Sequence, residues 1–280
     1  MEERRITKQA LGAYEETLRS EEKSDHTVEK YMRDMRSFQC FAGERQIDKS
    51  LTIEYKAYLE KEYAPASANS MIAALNSFLR FVGWQDCCVK QFKVQKKTYC
   101  SEETELTKAE YLSLVKTAED KKNERLSLLI QTICGTGIRV SEVSFITVEA
   151  ARQGEAIVSC KGKTRTVFIV SALRKKLLRY AKEQGIHTGM IFVTKNGKAL
   201  NRSNIWKEMK DLCKQAGVSP NKVFPHNLRH LFARTFYGIE KDIAKLADIL
   251  GHSNINTTRI YIISTGAEHK RRIESMRLII

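Results

Sequence analysis

The stretch Pro225-His226-Asn227-Leu228-Arg229-His230, followed by Leu250-Gly251-His252 and then Tyr261, organises the reading of this chain. On a helix, His226 and Arg229 stand three residues apart and project from one face. A guanidinium fork beside an imidazole suits a phosphate, because Arg grips two oxygens and His moves a proton near neutral pH. His252 follows a glycine that closes an apolar run, and Tyr261 supplies a phenolic oxygen nine residues later. Upstream, Gly135-Thr136-Gly137-Ile138-Arg139 closes a hydrophobic segment and adds a second arginine. Together the pieces describe a phosphoryl-transfer site with a tyrosine nucleophile.

Size and composition fit that chemistry. A chain of 280 residues holds two domains, each with its own core. Lys and Arg outnumber Asp and Glu by 48 to 33, a net charge of +15 that favours a polyanionic partner, nucleic acid first. The sequence has no apolar run of the roughly 18 residues that a membrane span needs. The charged start, Met1 to Lys8, lacks the apolar segment of a secretory signal. Cys40, Cys87, Cys88, Cys100, Cys134, Cys160 and Cys213 make an odd number without a CxxC pair, which fits a reducing compartment and neither a disulfide framework nor a zinc site.

Residues 1 to about 90 read as four helices. The first carries Leu11, Tyr14 and Leu18. Thr27 is the expected cap of the second, with Val28, Tyr31, Met32, Met35 and Phe38 on one face and Gly43 as its stop. Thr52 is the expected cap of a third helix through Tyr63, ended by Pro65. Ser67 opens the fourth, with Ile72, Leu75, Leu79 and Val82 inward. The polar stretch around Lys96-Lys97 reads as a linker, and Thr107-Lys108-Ala109-Glu110 as a capping box that starts the next domain. Leu126 to Cys134 reads as an apolar helix ending at Gly135.

The period then changes. Ala156-Ile157-Val158 and Thr166-Val167-Phe168-Ile169-Val170 flank a turn at Lys161-Gly162-Lys163-Thr164, the pattern of a β-hairpin. Ser171 starts a helix to Gly185, Ile191-Phe192-Val193 reads as a further short strand, and Ser203 caps a helix ending at Gly217. Ser264 to Ile280 reads as a last helix, with Ile273, Met276 and Ile280 roughly aligned.

Gly137-Ile138-Arg139-Val140-Ser141-Glu142, the His226–His230 stretch, Leu250-Gly251-His252 and Thr257-Thr258-Arg259-Ile260-Tyr261 resemble, in order and spacing, the boxes of the tyrosine recombinase (phage integrase) family. The likeness is closest to the compact Xer-type members. It covers essentially the whole chain and is most specific in the second half. It implies a mainly α (α+β) fold: a helical, SAM-like core-binding domain over 1–92, a linker over 93–104, and a mixed α/β catalytic domain over 105–280. The latter would hold a small antiparallel sheet, of the DNA breaking-rejoining enzyme type. With no arm-binding domain expected ahead of the first helices, the larger integrases are disfavoured.

The implied activity is site-specific recombination of double-stranded DNA through a 3′-phosphotyrosine and a Holliday junction. It would be carried out in the cytoplasm by a tetramer on synapsed sites, from a protein that is monomeric or dimeric when free. No metal, ATP or other cofactor is expected, because the phosphotyrosine conserves the bond energy. Residue by residue, the resemblance makes Tyr261 the nucleophile, Arg139 and Arg229 the clamps on the non-bridging oxygens, His226 the base toward the phenol, and His252 a hydrogen-bond donor to the phosphate. Tyr237, eight residues past Arg229, is the competing tyrosine on proximity. Glu142, three residues after Arg139, orients a cation or is an exposed charge. His230, directly after Arg229, is expected to turn away from the His226–Arg229 face.

The leaving 5′-oxygen needs a proton, which the family draws from a hairpin lysine. Lys161 is the expected donor, with Lys163 as the alternative. The turn is one residue shorter than the family's Gly-Lys-Gly-x-Lys pattern, and Phe168 stands where proline is common. The segment after Tyr261 packs into a neighbouring protomer or onto its own domain. A type IB topoisomerase and a DNA-binding regulator with a dead site stand as alternative readings.

Overall fold

The computed structural model describes residues 4–94, 103–160, 162–194, 196–262 and 266–276. The chain separates into two compact units, Met1–Lys96 and Lys97–Ile280. It is mainly helical with one small antiparallel sheet, as the sequence led us to expect.

The first unit is a bundle of α1 (Lys8–Ser20), α2 (Asp25–Ala42), α3 (Lys49–Glu62) and α4 (Pro65–Phe81). Its core is built from the residues that share a helical face, among them Tyr14, Met35, Phe38, Tyr55, Leu59, Ile72 and Phe78. The helix starts differ from the expected ones. Ser24, not Thr27, caps α2, and Asp48, not Thr52, caps α3. Each true cap lies one turn earlier, where a short polar side chain reaches the free N–H groups. Thr52 is instead buried, and its hydroxyl donates to the Cys87 carbonyl at 2.8 Å. Pro65 opens α4 at its first position, where its fixed φ and missing N–H cost nothing. Asn76 then ties down the exit from the bundle, donating to the Val89 carbonyl (2.8 Å) and accepting from its N–H (3.0 Å).

The second unit starts with α5 (Lys108–Asp120), opened by the Thr107/Glu110 capping box, and α6 (Glu124–Thr136). A 3₁₀ turn over Val140–Phe145 and α7 (Val148–Gln153) lead to β1 (Glu155–Cys160) and β2 (Lys163–Phe168). The two strands pair antiparallel with Cys160 opposite Lys163. Gly162 has φ +72°, as a tight turn requires. Residues 191–193 form no further strand. The main chain there makes only isolated bridges, Thr147 with Met190 and Val193 with Ala199, too short for a ladder.

After α8 (Ser171–Glu183) and α9 (Arg202–Ala216), capped by Asn201 and not Ser203, come α10 (Pro225–Glu240), α11 (Ile243–Leu250), α12 (Ile255–Tyr261) and α13 (Gly266–Ser275). The main core gathers α5–α9, the hairpin and the buried side of α10, with Leu129, Ile133, Leu177, Ile191, Met209 and Leu228 fully enclosed. A smaller cluster of Ala233, Leu246, Leu250 and Tyr261 packs the last helices against α10. Ile273 on α13 and Met276 just after it are exposed, while Ile279 and Ile280 lie outside the described residues.

Candidate active site

Helix ends place most of the expected residues. α6 closes on Gly137, whose left-handed φ of +66° lets the chain turn and aims its carbonyl back into the protein. A Cβ there would lie 2.5 Å from the Phe232 ring. Gly137→Ala is therefore expected to cost roughly 1–3 kcal/mol through left-handed strain and overlap; an unchanged melting temperature would contradict this. α11 ends on Gly251, φ +65°, and the His252 N–H returns to the Ala247 carbonyl at 2.9 Å, which fixes where the imidazole leaves the helix. A side chain on Gly251 would collide with Arg165.

Arg229 sits at the centre. It is 1% exposed, one turn along α10 from His226. Its guanidinium donates to the carbonyls of Gly137 and Leu250, the latter at 2.7 Å, so it joins the ends of α6 and α11. A further donor meets His252 Nε2 at 3.0 Å. A guanidinium only donates, so Nε2 is the acceptor and the Nδ1–H of His252 donates to Thr258 Oγ1 at 2.9 Å. His252 is thus in a tautomer with both nitrogens committed within the protein. The expected donation to a phosphate asks for its protonation or for release from Arg229. Arg229 Nε is buried and makes no hydrogen bond. Burial and the neighbouring Arg139 push the Arg229 pKa down to about 10, which leaves it charged at neutral pH.

Arg139 precedes the 3₁₀ turn, and Glu142 reaches back to it. The carboxylate accepts from the Arg139 N–H (3.0 Å) and from its guanidinium (2.9 Å). At 2% side-chain exposure, Glu142 is no surface charge. It accepts a third bond, from Arg165 at 2.6 Å, and Arg165 also donates to the Ile249 carbonyl at 3.0 Å. Burial opposes ionisation of Glu142, but bonds from Arg139 and the charge of Arg165 hold its pKa below the usual carboxylate range. Sequence reading assigned Arg165 no role. The signal was present: on β2 it stands two residues before buried Val167 and so shares its inward face.

Tyr261 lies on the same face of α12 as buried Thr258, and its ring is flanked by the Arg229 guanidinium and three imidazoles. The guanidinium carbon of Arg229 lies 5.8 Å from the ring centre. The rings of His226 and His252 are each 5.1 Å away, and that of His230 is 4.3 Å. The expectation for His230 is corrected here. It stands four residues after His226, which brings the two rings to 4.8 Å along one helix face. Tyr237 joins the edge of the small cluster and is not among the groups around Arg229. Lys161 lies outside the described residues, as does the side chain of Lys163.

Two cavities of about 800 Å³ open on these groups. Arg139, Glu142, Arg165 and His252 line one; Arg139, His226, Arg229, Arg202 and Trp206 line the other. Both imidazoles have their pKa lowered to about 4, by partial burial first and then by neighbouring histidine and arginine charges. They are therefore neutral at pH 7; His226 keeps a lone pair to offer, whereas that of His252 is taken up by Arg229. Four arginines, Arg139, Arg165, Arg202 and Arg229, against the buried carboxylate of Glu142 make these cavities a receptor for an anion. Among the described residues no cluster of His, Cys, Asp and Glu is arranged to hold a metal ion.

Known proteins share this arrangement of chain. The pattern of the phage integrase family matches residues 104–268, and that of the phage integrase N-terminal SAM-like domain matches residues 11–86. The tyrosine recombinase XerA of Thermococcus kodakarensis is 28% identical over 283 residues, which is 97% of this chain and 96% of that one. Tyrosine recombinase XerH of Campylobacter jejuni is 30% identical over 241 residues, 78% of this chain and 67% of the relative. Among solved structures, a lambda integrase dimer bound to a core site superposes with TM-score 0.75 at 18% identity, covering 93% of this chain and 96% of that one. XerH bound to its difH substrate after cleavage gives 0.69 at 20% identity, covering 90% and 77%. With both halves matched in chain order and the boxes converging on one pocket, this chain belongs to the phage integrase family, on the side of the Xer-type tyrosine recombinases.

Proposed function

We propose that this protein is a site-specific DNA recombinase that cuts and rejoins double-stranded DNA through a 3′-phosphotyrosine. One observation carries the proposal: the Tyr261 ring rests against the Arg229 guanidinium and three imidazoles, beside cavities lined by Arg139. The attacked phosphodiester is an anion, and its transition state spreads charge over the equatorial oxygens. Arg139 and Arg229 neutralise that charge in a partly desolvated site, where preorganised donors count most. Neutral His226 takes the phenolic proton as Tyr261 attacks phosphorus. The P–O5′ bond breaks, the bond energy stays in the phosphotyrosine, and attack by a 5′-hydroxyl reverses the step without metal or nucleotide. Lys161 protonates the leaving oxygen, with Lys163 as its alternative on the same hairpin.

Glu142 orients Arg139 and is itself fixed by Arg165. Two cut sites exchange strands through a Holliday junction, for which four copies assemble on paired sites. α13 and the residue after it, with Ile273 and Met276 exposed, form the segment offered to a neighbouring copy. The free thiols of Cys40, Cys87, Cys88, Cys134 and Cys213 suit the cytoplasm.

The test is covalent capture from a pool of randomised duplexes under denaturing conditions, followed by sequencing of the trapped DNA. A single recurrent sequence, with recombination between two copies of it, is the expected result. Relaxation of supercoiled plasmid without pairing of two sites would point to a topoisomerase. Binding without any adduct would leave a DNA-binding regulator. Affinity is also expected to fall steeply with salt, since a protein of charge +15 binds by releasing counterions. For six to ten phosphate contacts the loss between about 50 and 200 mM salt is roughly 10³–10⁵. A flat response would contradict phosphate-driven binding.

A further inference from the structure

On the assignment of Tyr261 as nucleophile, we propose that His230 and Glu105 form a positioning pair that sets the Tyr261 ring for attack. The His230 ring is the nearest of the three imidazoles, 4.3 Å from the Tyr261 ring and inclined 34° to it. It forms a flat wall along one side of the phenol. The wall is held from behind. His230 Nδ1 faces Glu105 at 3.7 Å, and Arg234, one turn further along α10, faces the other carboxylate oxygen at 3.2 Å. Both partners are mostly buried, with 13% of each side chain exposed.

Glu105 is fixed in turn because its backbone is stitched to α10. Asn227 donates to the Thr104 carbonyl at 2.7 Å, and Arg234 donates to the Leu106 carbonyl at 2.6 Å. A carboxylate in so closed a position persists only with cations against it. Burial alone would raise its pKa, yet His230 and Arg234 keep it below the usual carboxylate range. The network has an unfinished quality: His230 Nδ1 is buried and, 3.7 Å from Glu105, makes no hydrogen bond, and Glu105 Oε2 is held by Arg234 as an ion pair without one. A shift of the ring by a few tenths of an ångström closes the Nδ1–Glu105 gap and moves the face that Tyr261 leans on. Neither residue touches substrate. Both act through the aim of a phenol, and misplacing a reacting group by about 1 Å costs about 10²-fold in rate.

The experiment compares single-turnover adduct formation with DNA affinity on a duplex nicked next to the cleavage site, so that cut ends cannot religate. His230→Ala is expected to slow adduct formation by about 10–100-fold with DNA affinity unchanged. Glu105→Gln, which keeps the side-chain shape and removes the charge, is the milder variant, for use where His230→Ala does not fold; it is expected to slow the same step severalfold. In the double variant His230→Phe/Glu105→Gln the wall is flat again and no carboxylate is stranded, so most of the lost rate should return. A merely structural role predicts that rate, affinity and melting temperature fall together and that the double variant brings no recovery. That result, or wild-type rates in both single variants, overturns the positioning pair while Tyr261 adducts still form. Absence of an adduct in the wild-type protein would instead strike the reading of Tyr261 itself.

Discussion

Tyr261→Phe is expected to form no denaturation-resistant link to DNA, while binding the same duplexes with the affinity of the wild-type protein. The substitution removes one oxygen and keeps the ring. The contacts that hold that ring, to Arg229 and the three imidazoles, are made by its faces and edges and survive the change. No other described tyrosine is enclosed by this set of groups, and the nearest rival in sequence, Tyr237, lies at the margin of the small cluster. Loss of the phenol therefore removes the covalent step outright and does not merely slow it. The measurement is a denaturing gel of protein with labelled duplex, with mass spectrometry of the linked peptide. An adduct persisting in Tyr261→Phe, or mapped to Tyr237, would refute the assignment.

The second large effect is expected at Arg229, and it divides into two parts. Arg229→Lys cannot span the Gly137 carbonyl, the Leu250 carbonyl and His252 together, because an ammonium is a single point and the guanidinium a planar fork. At least one buried carbonyl is left without a donor, at roughly 1–3 kcal/mol. For a unit of this size that is a fall of roughly 2–12 °C in melting temperature. The chemical part is separate: losing one preorganised donor to the transition state lowers the adduct rate by about 10²–10³. Calorimetry reads the first and single-turnover kinetics the second. A lower melting temperature with an unchanged rate would make Arg229 a structural strut only, and wild-type values for both would remove it from the site.

The difference between the expected and observed helix starts has a simple origin. Ser24 and Thr27, or Asp48 and Thr52, are both plausible caps within one turn, and local sequence does not choose between them. The bundle chooses, because Thr52 finds a buried acceptor at Cys87. The missing strand at 191–193 has a similar cause. Ile191 and Phe192 are apolar because they enter the core, and no neighbouring strand lies alongside to turn that run into a ladder. His230 was misplaced by counting from Arg229 when the informative interval was the four residues from His226.

What the sequence determined by itself is whatever short-range spacing carries: the helical faces of the first unit, the capping box at Thr107, the hairpin, and the pairing of His226 with Arg229 on one helix. These follow from periods of 3.6 and 2 and from the chemistry of a few neighbouring residues. Only the tertiary structure decided that Glu142 serves two arginines, that Arg229 ties the ends of two helices, and that Glu105 backs the ring beside Tyr261. Those contacts join residues 23, 92 and 21 positions apart in the first two cases, and the segment of Glu105 is bonded to α10 by residues 123 and 128 positions away. No local period reports separations of that kind. They exist because buried charges and carbonyls must find partners, and the fold determines which partners are within reach.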